Sequence, residues 1–147
     1  MKTCLGGLLL VALLSSPGLA AAFCDRGYPD ISLSRELKES EFVIVGRPTS
    51  YRRVVDPEDP EGYVATLYRV HVERVLRGRV PAHARRSGLT IYNENTSARF
   101  PFDDPAAPGE GKRYLMLVRS GPDGYWVDAC GHSGELEKSQ ETIRRIR

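Results

Sequence analysis

VATLYRVHVERVLRG, Val64 to Gly78, decides how this chain is read. Val64, Thr66, Tyr68, Val70 and Val72 alternate with Ala65, Leu67, Arg69, His71 and Glu73. Successive side chains of a strand point to opposite faces, so this period of two predicts a long strand with one buried face. Upstream, Glu41-Phe42-Val43-Ile44-Val45-Gly46-Arg47 predicts another strand that continues toward Val55 on a more polar edge. Asp56 to Gly62 holds two prolines and a glycine, which make it the loop between the two.

Downstream, Pro81 to Gly88 reads as a connection and Leu89-Thr90-Ile91-Tyr92 as a third strand. Asp103 to Gly111, rich in Pro, Gly and Ala, is a further loop. Arg113 to Val118 and Tyr125 to Cys130 flank the turn Ser120-Gly121-Pro122-Asp123-Gly124 and predict a hairpin. Short helices are expected at both ends. Leu33 and Leu37 lie four apart behind capping serines, and Leu136, Gln140, Ile143 and Ile146 approach helical spacing. The expected fold is mainly β, a five-stranded OB-like Greek-key barrel with all its strands antiparallel, since a sandwich would want more strands.

The chain opens with the features of a secretory signal peptide. Lys2 precedes an apolar run from Leu5 to Leu14, then Ser15-Ser16-Pro17-Gly18 and Ala20-Ala21-Ala22. Residues 1–22 are read as the leader and 23–147 as one domain, periplasmic or secreted and not membrane-spanning. Losing Lys2 leaves 20 basic residues against 19 acidic ones, a balance that argues against a nucleic-acid partner. Cys4 leaves with the leader, so Cys24 and Cys130 remain and are expected to pair in an oxidising compartment.

The order of features resembles the tissue inhibitors of metalloproteinases and related netrin-type modules. The likeness rests on Cys24 just past the leader, a short helix, "ESEFVIVGR", "YRVHVERVLRG", "GKRYLML" and the late Cys130 in "YWVDACGHSGEL". It spans nearly the whole of residues 23–147 and implies an OB-like barrel. It also implies an inhibitor that chelates a target protease's zinc through an N-terminal cysteine. Cleavage after Ala22 would leave Phe23 ahead of Cys24, and two cysteines allow only one of the family's several bridges.

Asp128-Ala129-Cys130-Gly131-His132-Ser133-Gly134-Glu135-Leu136 gathers a thiol, an imidazole and a hydroxyl. A thiol-dependent or hydrolytic enzyme using Cys130 and His132 would need Cys130 unpaired. As a nucleophile elbow, Gly131-His132-Ser133-Gly134-Glu135 has Glu where the second Gly belongs. The structural reading pairs Cys130 with Cys24, turns the chain at Gly131 and Gly134, and caps the last helix with Ser133. His132 is left without a role. No set of three or four zinc ligands is evident, with His71 on a solvent face and His83 in a basic loop, and no cofactor or metal is expected.

If the barrel is OB-like, Asp56, Glu58, Asp59 and Glu61 sit between the first two strands, and Pro122 and Asp123 between the last two. Such loops form the binding rim of OB folds. The expectation is an exported binding module without catalysis, directed at a protein, an extracytoplasmic protease among the candidates. Arg77, Arg79, Arg85 and Arg86 make an anionic glycan or lipid surface the second class of partner.

Overall fold

A computed structural model describes residues 31–95, 100, 102 and 111–146. The leader, its cleavage site, Cys24 and most of the 103–111 loop lie outside the described residues. The protein is mainly β, with a five-strand ring and three short helices. In chain order these are α1 (Leu33–Glu39), β1 (Phe42–Val55), β2 (Tyr63–Gly78), α2 (Ala82–Ser87), β3 (Leu89–Glu94), β4 (Tyr114–Gly121), β5 (Gly124–Val127), β6 (Gly134–Glu135) and α3 (Gln140–Ile146). No helix among the described residues is long and apolar enough to cross a membrane.

The strands run β1-β2-β3-β5-β4, and β4 pairs back onto β1 to close the ring. All of these ladders are antiparallel except β3–β5, a parallel contact at Ile91 and Tyr125. This corrects the all-antiparallel expectation. The β4–β5 hairpin sends β5 back beside β3 in the same direction, a long-range pairing that no local pattern encodes.

β1 serves two neighbours because it bends. Its first part, Phe42 to Gly46, lies between β2 and β4, while the rest pairs with β2 alone among the ring strands. Register shifts at Val43/Ile44, Val45/Gly46 and Pro48/Ser50 mark bulges, which bend a strand and raise its twist. Gly46 sits in this bend, where a Cβ would lie 2.8 Å from both the His71 carbonyl oxygen and Val70 Cγ1.

Two apolar layers result. Phe42, Ile44, Val70, Leu89, Ile91, Met116 and Val118 fill the ring, joined by an aromatic group of Tyr68, Phe100, Phe102 and Tyr114. Val43, Val45, Leu115 and Leu117 point the other way and pack under Leu33, Leu136 and Ile143. This is why Phe42–Val45 and Tyr114–Val118 are continuous apolar runs: both faces are covered. Each fully buried Val or Leu contributes roughly 1.5–3 kcal/mol.

Three local expectations change. The 81–88 connection contains α2, seated through buried Ala84. The alternation of β2 fails at its start, where Val64 is exposed and Ala65 fully buried, beside the shift between Val54 and Val55. Ser133 lies far from the start of α3, which begins at Gln140.

Candidate functional site: the C-terminal motif and the outer face of the ring

The motif from Asp128 to Leu136 is held by hydrogen bonds at almost every step. Asp128 Oδ1 accepts from the Cys130 amide at 2.9 Å, closing a turn as β5 ends. Ser133 Oγ accepts from the Leu117 amide at 2.9 Å and so completes the edge of β4 rather than capping a helix. Gly134 and Glu135 form β6 against Leu115 and Tyr114, and the Leu136 amide donates to the Arg113 carbonyl at 2.8 Å.

His132 has a partner that the sequence did not suggest. Glu36 Oε2 accepts from the His132 amide at 2.8 Å and contacts its ring Nδ1 at 2.7 Å. Glu36 is fully buried, and the His132 side chain keeps 28% of its surface exposed. Gly131 lies against the same carboxylate: a Cβ there would sit 2.0 Å from Glu36 Oε1 and 2.6 Å from its Cδ. Any other residue at 131 would displace the carboxylate. Oε1 accepts no hydrogen bond among the described residues.

α1 delivers Glu36 because Ser32 Oγ caps it through the Arg35 amide, and Leu33 and Leu37 face the second apolar layer. Seven residues are too few for a helix to persist alone, so packing must hold it. A signal for Glu36 was present: it stands three residues from Leu33, on the stripe that a short amphipathic helix buries. A carboxylate there needs a partner.

Beside this pair, Arg119 Nη2 lies 2.9 Å from Glu39 Oε2, an ion pair off the line of a hydrogen bond, and 3.9 Å from Asp128 Oδ2. Its guanidinium also stands over the Trp126 ring, 5.2 Å from the centroid. The hydrogen bond from Arg35, seconded by Arg119, holds the Glu39 carboxyl below the usual range.

A carboxylate at Nδ1 fixes an imidazole's orientation, and such pairs orient both catalytic and metal-binding histidines. Catalysis would also need a nucleophile within reach of the ring. Ser133 Oγ is committed to the Leu117 amide. The partner expected for Cys130, Cys24, lies outside the described residues. Among the described residues no three His, Cys, Asp or Glu side chains gather as a metal site. His71 is on the outer face of β2, and His83 is on α2 rather than in a loop.

The two predicted rim segments flank β3 at opposite ends. The β1–β2 loop follows the end at which Ala65 pairs with Glu94, and Asp123 borders a cavity with Leu89 and Thr90 at the other. Asp56 Oδ1 accepts from the Glu58 amide at 2.9 Å and Asp59 Oδ1 from the Glu61 amide at 3.1 Å. Those oxygens shape the loop itself. Pro122 and Asp123 form the two-residue turn of the β4–β5 hairpin.

Between these ends runs an outer face that no local sequence pattern marks. The register sets Arg52, Leu67 and Tyr92 side by side across three strands, then Ser50, Arg69 and Thr90, then Arg47 beside His71. Three adjoining concavities on this face, of about 370, 320 and 330 Å³, all share Arg69. The Arg69 Nη1 donates to the Ser87 carbonyl and fixes its aliphatic stem against Gly88. No protein-family model matches the chain, and no curated protein matches it.

Proposed function

We propose that this protein is an exported binding module without catalytic activity, with an OB-like Greek-key barrel akin to that of the tissue inhibitors of metalloproteinases and netrin-type modules. Its N-terminus is stapled by Cys24–Cys130, and its partner is a protein. The strand order β1-β2-β3-β5-β4, closed by β1, supports the barrel reading. The observation that carries the functional reading is the use made of the motif. His132 and Gly131 are fitted to Glu36, and Ser133 to Leu117, so the reactive-looking residues tie the chain's end to α1 and β4. A second wrap, from the N-terminus to Cys130, would lock the same corner.

The test is mass mapping of the protein taken from its native compartment, with thiol titration and N-terminal sequencing. A start at Phe23 and a peptide linking Cys24 to Cys130 are expected. A free, reactive Cys130 accompanied by turnover of thioester or peptide substrates would defeat the module reading. The bridge would close a loop of roughly 100 residues, so its reduction should lower the unfolding free energy by about 4–5 kcal/mol. Urea titrations with and without reductant measure this.

A further inference from the structure

We propose that the outer face of β1, β2 and β3 is the docking surface of the module, and that it takes an extended acidic polypeptide segment whose carboxylates alternate with aromatic or aliphatic residues along one face. This rests on the binding-module reading and names the partner's chemistry. The whole chain is near electrical balance, at +2 with neutral histidines, so a cationic face here reflects placement rather than excess charge. Arg47, Arg52, Arg69 and Arg86 border its three concavities, against a single carboxylate, Asp123. Among the described residues none of these arginines has an ion pair, so their guanidinium groups carry no carboxylate of the protein's own.

Guanidinium groups are planar forks that bind carboxylates in pairs of hydrogen bonds, and they are less strongly hydrated than ammonium groups. Apolar contact is interleaved with them. Leu67 stands between Arg52 and Tyr92 in one row, and Arg69 lies in the next row on β2. A polyanion carrying only charge would leave Leu67 and Tyr92 uncovered. An extended peptide turns every second side chain to the same face, about 6.6 Å apart, so carboxylates and apolar residues that alternate at every second position can meet both kinds of site. Asp123, at the β5 end of the face, repels a carboxylate there and sets the direction of entry.

The test is a fluorescence-anisotropy titration of the full-length protein with a labelled twelve-residue peptide, Glu-Ser-Tyr-Ser three times over, in which Glu and Tyr alternate along one face of the extended chain. The parallel probes are its Gln-for-Glu version, an all-Glu peptide and heparin. The alternating peptide should bind best, with affinity falling as salt rises. Replacing Glu by Gln, or the apolar residues by Glu, should weaken it at least about tenfold. Arg47→Glu and Arg52→Glu should each weaken it by about tenfold. Arg144→Glu on α3, with the same change in net charge, should leave it unchanged. Both face variants are at exposed positions and should keep the wild-type unfolding transition, checked by circular dichroism.

No binding of the alternating peptide would overturn the proposal, as would binding indifferent to Arg47→Glu and Arg52→Glu in folded protein. Heparin binding at least as tightly as the peptide and displacing it would make this a polysaccharide site and also overturn it. Thiol mapping reads only Cys24 and Cys130, and this titration reads only the face, so the two proposals fail separately.

Discussion

Between Phe42 and Val45, β1 is buried on both faces, whereas from Arg47 to Val55 most of its side chains are exposed. The difference lies in what covers the strand. α1, α3 and the 128–136 segment lie over its first half, whereas in its second half Arg47 and Thr49 border an open concavity with Arg86 and Ser87. The covered half forms two apolar layers and fits a buried carboxylate to a histidine amide and ring. The open half carries Arg47 and Arg52, which among the described residues have no ion pair. One strand therefore divides its length between holding the fold together and presenting a surface, and the bulges around Gly46 mark the boundary.

That contrast breaks most visibly at Glu36. Glu36→Ala should cost about 3 kcal/mol, because it orphans the His132 amide and opens a cavity among fully buried groups. Chemical denaturation measures it, and a loss below about 0.5 kcal/mol would mean that the covered corner is no more critical than the open face. Next in size is Gly131→Ala, expected to destabilise by about 1–3 kcal/mol through the clash with the carboxylate. In a Glu36→Ala background the same substitution should cost clearly less, since the obstructing oxygens are gone. Additive losses in that cycle would show that the two residues are not coupled.

The smallest effect is at the rim of the covered half. Glu135 lies 2.8 Å from Lys138 Nζ and 3.4 Å from Lys112 Nζ, and the hydrogen bond from Lys138 is the main reason its carboxyl is held below the usual range. A depressed carboxyl stabilises the fold above its unfolded value, about pH 4.3, and that contribution disappears as the pH falls through the lowered folded value. Because the pair is on the surface, wild type should exceed Glu135→Gln by no more than about 0.5 kcal/mol at pH 7. The gap should close in titrations carried below about pH 4, and a gap that widened there would reverse the sign of the effect.

Much of the strand layout was legible in the sequence. The alternation from Thr66 to Val72, the loop residues Asp56 to Gly62 and the turn at Pro122-Asp123 are local signals, and each marks an element where it was expected. The capping serine and leucine pair of α1 were equally local. Ser133 misled because a serine near a helix resembles a cap, while its hydroxyl is taken by a strand amide 16 residues earlier in the chain. α2 was missed because six residues leave too short a pattern beside a proline.

Glu36 and His132 are 96 residues apart, and only the folded chain brings them together. The same is true of Arg47, Arg52, Arg69 and Arg86, which no window of sequence would group. Which segments alternate, turn and cap can be read along the chain, because those features depend on backbone geometry and neighbouring side chains. Only in the folded chain do β3 and β5 run parallel, does a buried carboxylate meet His132, and do four arginines share one face. Those are consequences of ring closure, which brings distant parts of the chain into register.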